Sequence, residues 1–254
     1  MKRTLIYIFL IFPLCLIAND TTIVFKQYNY EELFQLAEKE NKVIMLYFHF
    51  DGCGACVKME KNIFTNNEIA NFYNNNFLNF EVNTRTTEGS KINEIYNVQM
   101  HPTFMFIDSN GEIIHKIVGS YSVDEFLVHG EKVLDPTQTL NYYKSVYESG
   151  YFNSDFLFDY AYKLNDANEL DSTIIEEYLS MLQYEDYMLD KNILFIYEFM
   201  LHKHKVCIPF NSSPYNYMYL NQNRFQDFFD KDQIETRLMF ALRHEIYLAI
   251  KSKN

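Results

Sequence analysis

Residues 43–60 read VIMLYFHFDGCGACVKME, an apolar run that leads directly into two cysteines three positions apart. A continuous apolar run of strand length is typical of a central strand that is covered on both faces of its sheet. The residues that follow have helical character, so Cys53 and Cys56 are expected at the junction of a buried strand and a helix. This stretch indicates the fold class and contains the candidate site.

Two cysteines in this setting can serve redox exchange, metal binding or a structural cross-link. The unpaired N–H groups and the dipole of a helix N-terminus stabilise a thiolate, which favours Cys53 as the nucleophile and Cys56 as the resolving thiol. Metal binding would recruit His49 or His101, but four ligands are not evident in the sequence. A loop of two residues removes little chain entropy, so a purely structural disulfide is the weaker alternative.

The chain on either side alternates between strands and helices. Five strands are predicted, over residues 21–26, 43–50, 77–83, 103–108 and 112–119. Three of the predicted helices have a capping residue followed three positions later by glutamate, namely Asn29, Thr65 and Ser122. Residues 109–111, Ser-Asn-Gly, predict a hairpin between the last two strands. This order predicts an α/β fold with a mixed central sheet and helices on both faces.

The character of the sequence changes near Asp135 and Pro136. Only one of the seven glycines, Gly150, lies beyond this point, together with fourteen of the 21 tyrosines. Apolar residues recur there at three- and four-residue spacing, which indicates helices. We therefore predict a second, all-helical domain of about five helices over residues 136–254, with the aromatic side chains packed as its core.

The first twenty residues have the layout of a secretory signal peptide. Lys2 and Arg3 precede an apolar run from Leu5 to Ala18, and this run is short for a transmembrane helix. We expect residues 1–18 to be a cleaved signal and the protein to be exported, with the periplasm as the compartment; an uncleaved membrane anchor is the alternative. In an oxidising compartment a disulfide can persist.

The formal net charge of -12 bears on the partners. A protein that binds nucleic acid needs a basic face for the phosphates, so nucleic acid is not an expected partner. Electrostatic attraction to anionic membrane surfaces is disfavoured for the same reason.

Residues 21 to about 134 resemble the thioredoxin superfamily, in particular exported, DsbD-like thioredoxin domains. Two stretches carry the resemblance: NKVIMLYFHFDGCGACVKMEKNIFTNNEI at 41–69 and MHPTFMFIDSNGEIIHKIVG at 100–119. Five further residues fit the family pattern around the cysteines: Lys42, Asp51, Lys58, Glu60 and Phe64. The resemblance implies a thioredoxin fold over residues 19–135 and thiol–disulfide exchange with protein substrates. It also implies a redox partner protein, and neither a cofactor nor a metal.

The resemblance also implies roles for the residues near the cysteines. Pro102 matches the family's cis-proline, and with His101 and Thr103 it would shape the groove that holds the substrate backbone. The four residues expected to tune the redox couple are Gly54, Ala55, Asp51 and Lys58.

The chain departs from the family at three positions. Gly52 replaces the usual tryptophan, and Tyr47 replaces the buried acid that moves a proton at the resolving cysteine, so His49, Glu60 or water would do this instead. His101 is unusual before the proline; either it is protonated and makes the couple more oxidising, or it contacts substrate through its backbone only.

Two other functions remain open from the sequence. The thioredoxin fold could be a scaffold, with the aromatic helical domain as the functional part of a binding or assembly protein. A metallochaperone that uses the CxxC thiolates is the third hypothesis. The direction of the redox reaction is left open as well. The Gly54–Ala55 pair between the cysteines lacks the His or Pro variants that mark strong oxidants or strong reductants.

Overall fold

The computed structural model describes residues 22–26, 29–202 and 205–252. The predicted signal peptide therefore lies outside the described residues and stays a prediction. Within the described ranges, no helix combines the length and the apolar character that crossing a membrane requires. The first part of the chain contains α1 (Tyr30–Glu40), β1 (Val43–His49), α2 (Gly54–Asn62), α3 (Asn67–Asn76), β2 (Phe77–Asn83), α4 (Thr87–Tyr96), β3 (Thr103–Ile107), β4 (Ile113–Val118) and α5 (Val123–Leu134).

The sheet has the strand order β2-β1-β3-β4. β1 runs parallel to β2, with His49 opposite Asn83, and antiparallel to β3, with Phe48 opposite Thr103. β3 and β4 form the predicted antiparallel hairpin. The central position of β1 is what its continuous apolar sequence predicted, because the strand is hydrogen-bonded on both edges and buried through its middle.

The side chains of β1 alternate between two separate cores. Met45 and Tyr47 face a core that α2, α3 and α5 cover, whereas Ile44, Leu46 and Phe48 face a core that α1 and α4 cover. Helices therefore lie on both faces of a mixed sheet, and the predicted fold class is confirmed.

Most predicted helix starts are confirmed. Asn29 caps α1 by accepting from the N–H of Glu32, and Ser122 forms a reciprocal capping box with Glu125 at the start of α5. The prediction of Thr65 as a cap is wrong, since Asn66 caps α3. The Thr65 hydroxyl instead donates to the carbonyl of Lys61 in the preceding turn.

The prediction of a strand over residues 21–26 is wrong as well. Residues 22–26 run beside the domain without forming a ladder. Their backbone donates isolated hydrogen bonds, from Ile23 to the carbonyl of Phe64 at 2.9 Å, from Val24 to the side chain of Asn74 at 2.8 Å and from Lys26 to the carbonyl of Asn79 at 2.8 Å. These bonds go to a turn, a helix and a strand and do not make a ladder, although Ile23 is buried against the core.

The second part of the chain is helical, as predicted, but it contains more than five helices. Short 3₁₀ turns and the two-residue strands β5 (Leu201–His202) and β6 (Lys205–Val206) connect them. The α-helices are α6 (Leu140–Ser149), α7 (Ser154–Asp166), α8 (Ser172–Met181), α9 (Asp190–Met200), α10 (Ser213–Leu220), α11 (Gln222–Phe225) and α12 (Lys231–Lys251). Their tyrosines and phenylalanines form a core of their own, which also buries Cys207. The division into domains at residue 135 stays a prediction.

β4 is the strand through which the sheet contacts the helical region. It packs against α6 and α7. Glu169 bridges the two parts, since its carboxylate accepts from Lys116 of β4 at 2.8 Å and from Lys144 of α6 at 2.7 Å. These two hydrogen bonds lower the pKa of Glu169, against the opposing effect of its burial.

Two histidines are buried at this junction. The Nδ1 of His115 on β4 accepts from the backbone N–H of Leu140 at 3.1 Å, while its Nε2 and the Nδ1 of His129 on α5 lack hydrogen-bond partners among the described residues. Burial lowers the pKa of His115 to about 3 and that of His129 to about 4, with nearby Lys132 and Lys163 contributing. Both imidazoles are therefore neutral in the folded protein.

We predict that this pair makes the fold sensitive to acid. Both folded pKa values lie below the ordinary 6.5, so below this pH the unfolded chain binds more protons than the folded one. The contribution to stability is complete above about pH 6.5 and is lost as the pH falls toward 4 and 3. Urea unfolding across this range should give a falling free energy of unfolding, with a shallower slope in His129→Leu. An unchanged slope in that variant would contradict the prediction.

Candidate active site at the CxxC turn

The two cysteines lie where the sequence predicts them, at the start of α2. Cys53 is the N-cap residue, and its Sγ accepts from the backbone N–H of Cys56 at 3.1 Å. The two sulfur atoms are joined in a disulfide, with the Cα atoms 5.2 Å apart. Both residues are buried, with Cys53 6% exposed and Cys56 1% exposed, so Cys53 is the less deeply buried of the two.

This geometry favours the thiolate form of Cys53 once the disulfide is reduced. A sulfur at the N-cap lies at the positive end of the helix dipole and faces backbone N–H groups that have no partner within the helix. Both effects stabilise a negative charge and lower the pKa of a thiol. The arrangement can therefore support nucleophilic attack by the outer sulfur, followed by attack from the inner one.

A cis peptide bond joins His101 and Pro102, as the resemblance implied. Since Thr103 is paired with Phe48 of β1, this loop lies beside the end of β1 that leads into the CxxC turn. Pro102 is buried and its carbonyl accepts from the N–H of Gly119 at 2.9 Å. The Thr103 hydroxyl donates to the carbonyl of Met100 at 2.7 Å, so its side chain is engaged within the loop.

The ring of His101 turns toward the loop after β2. Its Nε2 lies 3.2 Å from the hydroxyl of Thr84, and its ring meets that of Phe50 edge-on at 5.1 Å. Partial burial lowers the pKa of His101, and the charges of His49 and Arg85 lower it further. The hypothesis that a protonated His101 stabilises the thiolate is therefore not supported, because its surroundings favour the neutral ring.

Tyr47 occupies the position of the family's buried acid and connects to α2. Its buried hydroxyl donates to Oε1 of Glu60 at 2.9 Å. Burial and this contact raise the pKa of Tyr47, so the phenol stays protonated. His49 stacks on the Tyr47 ring and lies 3.9 Å from Glu60 and 3.8 Å from Glu81. The carboxylate that the Tyr47 hydroxyl holds thus belongs to α2, one turn after Cys56.

The four residues expected to tune the couple are all exposed but lie in different surroundings. Gly54 begins α2, and the carbonyl of Ala55 accepts from the hydroxyl of Ser120 at 3.3 Å. The carboxylate of Asp51 accepts from the amide of Asn83 at 3.0 Å. Lys58 lies on α2, in the turn after Cys56.

The loop that follows β2 also belongs to the site, although no motif in the sequence marks it. Arg85 lies with its guanidinium 4.2 Å above the Phe50 ring and donates to the carbonyl of Asp51 at 2.8 Å. Thr84 donates to the carbonyl of His49 at 3.1 Å. The signal that could have found these residues is the parallel pairing of β1 and β2, because the loops after two parallel neighbouring strands leave the same edge of the sheet.

Residues 30–134 match the family described as the thioredoxin-like domain. Thiol:disulfide interchange protein DsbD of Yersinia pestis is 30% identical over 97 residues, which are 37% of this chain and 16% of DsbD. Anterior gradient protein 3 of Mus musculus is 31% identical over 93 residues, which are 37% of this chain and 54% of that protein. A thioredoxin from Thermus thermophilus is 28% identical, with a TM-score of 0.39, covering 42% of this chain and 85% of the thioredoxin.

Residues 30–134 therefore form a thioredoxin-like domain, and its CxxC turn holds the Cys53–Cys56 disulfide. DsbD proteins are among the relatives, as the sequence predicted, and a further helical region follows the domain. The chain spans less than a fifth of the length of the DsbD relatives that it matches.

We predict that the hydrogen bond from Tyr47 to Glu60 stabilises the site. Tyr47→Phe keeps the ring stack but removes the donor, and should lower the free energy of unfolding by about 1 kcal/mol. Glu60→Gln keeps an oxygen acceptor and should cost less, so it is the matched control. The measurement is urea unfolding of the disulfide form at one pH. Equal stability of Tyr47→Phe and the parent would contradict the prediction.

Proposed function

We propose that the chain exchanges disulfides with protein substrates through the Cys53-Gly-Ala-Cys56 pair. The observation that supports this most directly is the position of the Cys53 sulfur, which caps α2 and belongs to the less deeply buried residue of the disulfide with Cys56. A disulfide needed only for stability would gain little by closing so short a loop. A disulfide at a helix N-terminus beside a cis-proline loop suits reversible exchange.

In the reducing direction, the Cys53 thiolate attacks one sulfur of a substrate disulfide. A mixed disulfide forms, and the other substrate sulfur leaves as a thiolate that takes up a proton. Cys56 then loses its proton and attacks the Cys53 sulfur, which releases the second substrate thiol. The substrate gains two electrons and two protons, and the Cys53–Cys56 disulfide forms. In the oxidising direction the same steps run in reverse.

Glu60 is the candidate group for the proton of Cys56. Its carboxylate lies one helical turn after Cys56 and is held by the Tyr47 hydroxyl. Its exposed part connects it to solvent, so a proton can pass between the interior and water. His49, within 3.9 Å of the same carboxylate, is placed to share this role.

Substrate would bind in the groove formed by His101, Pro102 and Thr103. The side chain of Thr103 is engaged within the loop, and the His101 ring turns toward Thr84, so substrate would be held through backbone atoms. Phe50 and Arg85 add an apolar face and a positive charge beside this loop. A substrate segment with an acidic or aromatic residue would suit them.

We propose an exported, periplasmic location and a redox partner protein. The sequence layout of residues 1–18 supports export, and the DsbD relatives carry the name thiol:disulfide interchange protein. The helical domain, over residues 136–254, would select a client or the redox partner. The alternatives are a binding protein built on an inactive thioredoxin scaffold and a metallochaperone. Among the described residues, no group of three or more potential ligands could hold a metal ion.

The test is to trap the mixed disulfide. Cys56→Ser keeps the nucleophile but cannot resolve, so client proteins should accumulate on Cys53 as reducible adducts that mass spectrometry identifies. Cys53→Ser should trap far less, because Cys56 is the more deeply buried residue.

The matched control is the double variant Cys53→Ser/Cys56→Ser, with Cys207→Ala added to every variant to remove the third thiol. Adducts that persist in the double variant, or their absence from Cys56→Ser, would contradict the proposed exchange. Partner binding unchanged in all variants would then support the scaffold alternative.

A second prediction concerns His101. The lowered pKa leaves its ring neutral at pH 7, so His101→Gln removes no positive charge there. The reduction potential of the Cys53–Cys56 pair should change by less than about 30 mV, the shift that corresponds to a tenfold change in the equilibrium constant. Equilibration with defined thiol buffers at pH 7 measures this. A larger shift to a more reducing potential would restore the hypothesis of a cationic His101.

A further inference from the structure

α12 is anchored to the protein over only half of its length. Ile234, Leu238 and Ala241 are buried against the helical core, on the side of α12 that faces α9. From Arg243 to the end of the helix, every residue is exposed. This second half extends over about 13 Å at the usual rise of an α-helix. An isolated helical segment of this length is not stable in water. Burial against a partner would therefore stabilise the helical conformation of this segment.

The exposed part of α12 is apolar on several sides. Its large apolar side chains are between 43% and 60% exposed, and they are Met239, Phe240, Ile246, Tyr247, Leu248 and Ile250. A groove of about 810 Å³ runs along the same helix, and Phe240, Arg243 and Tyr247 line it. Contiguous exposed apolar side chains of this size mark an interaction surface in a water-exposed protein.

Three residues at a spacing of four form a row along this surface, which we name the α12 row: Glu235, Met239 and Arg243. All three are exposed. Residues four apart lie next to each other on one side of a helix, so the row places an apolar centre between opposite charges. Glu235 lies 3.5 Å from Lys231 one turn earlier, whereas Arg243 has no ion-pair partner within residues 22–26, 29–202 and 205–252.

The order of charges in the α12 row is complementary to itself. In an antiparallel pair of α12 helices with the two-fold axis at Met239, Glu235 of each copy faces Arg243 of the other. A two-fold axis requires such self-complementarity, since the same patch serves on both sides. We propose that α12 forms a homodimer interface, with two copies of this chain paired antiparallel about Met239.

The charge pattern of the α12 row, rather than the net charge of the chain, favours a second copy over an unrelated partner. The net charge of -12 makes two copies repel over most of their surfaces, so the favourable contact is confined to this row. The α12 row carries one negative and one positive charge, and in the antiparallel pair each of them faces the opposite charge of the other copy. A basic partner would leave Arg243 facing a like charge, and an acidic partner would do the same to Glu235. The contact area of one helix pair places this dimer at the small, transient end of protein interfaces.

Charge reversal tests the register. Analytical ultracentrifugation of the purified protein at concentrations up to about 100 µM should show dimers. Most chains are paired at this concentration if the Kd of the dimer lies below it. Glu235→Arg and Arg243→Glu, made singly, place like charges together and should weaken dimerisation by tenfold or more. The double variant restores complementarity and should dimerise like the parent. Glu245→Arg makes the same charge change on another side of α12 and is the matched control.

A parent that stays monomeric throughout this range would overturn the proposal. A dimer that neither reversal weakens, or that the double variant fails to restore, would overturn it too. Met239→Cys provides an independent measurement, because the two introduced thiols would meet at the axis and cross-link the dimer under mild oxidation. Tyr219→Cys, which is exposed on α10, should not cross-link. Equal cross-linking at both positions would count against the proposed axis.

Discussion

The burial of β1 on both faces and both edges is the constraint on which the rest of the structure depends. Its middle residues carry no polar side chain except the Tyr47 hydroxyl, so the strand is stable only between two strands and two layers of helices. β2 and β3 provide its hydrogen bonds. The chain leaves this buried strand at one edge of the sheet, and that exit places Cys53 at the start of α2.

The site combines a common scaffold with unusual surroundings. The disulfide caps a helix beside a cis-proline, as in the family implied by the sequence. The polar group beneath it differs, because Tyr47 contributes a hydroxyl that holds Glu60 in place of a buried carboxylate on the strand. The acid therefore belongs to the same helix as Cys56 and reaches solvent. Burial costs a carboxylate far less at this half-exposed position than inside the core.

The helical region is attached through β4, the edge strand of the sheet. Helices α6 and α7 pack against it. Glu169 joins two lysines across this contact, and the neutral His115 and His129 lie inside it. The junction therefore combines charge pairs at its rim with the buried imidazoles of His115 and His129 and the buried Lys163, which donates to the carbonyl of Gln138. α12 lies at the far end of the chain, where half of a helix is still exposed.

The sequence by itself determined the features that depend on local pattern. A continuous apolar run specifies a central strand, capping residues specify helix starts, and the CxxC after a strand specifies a cap at Cys53. Tertiary structure decided what depends on distant residues. Residues 22–26 are not a strand, because their hydrogen bonds do not form a ladder with a neighbouring strand. Asn66 rather than Thr65 caps α3, because the Thr65 hydroxyl donates to the carbonyl of Lys61 in the preceding turn. The neutral state of His101 follows from burial and from charges on neighbouring strands and loops, which no local pattern records.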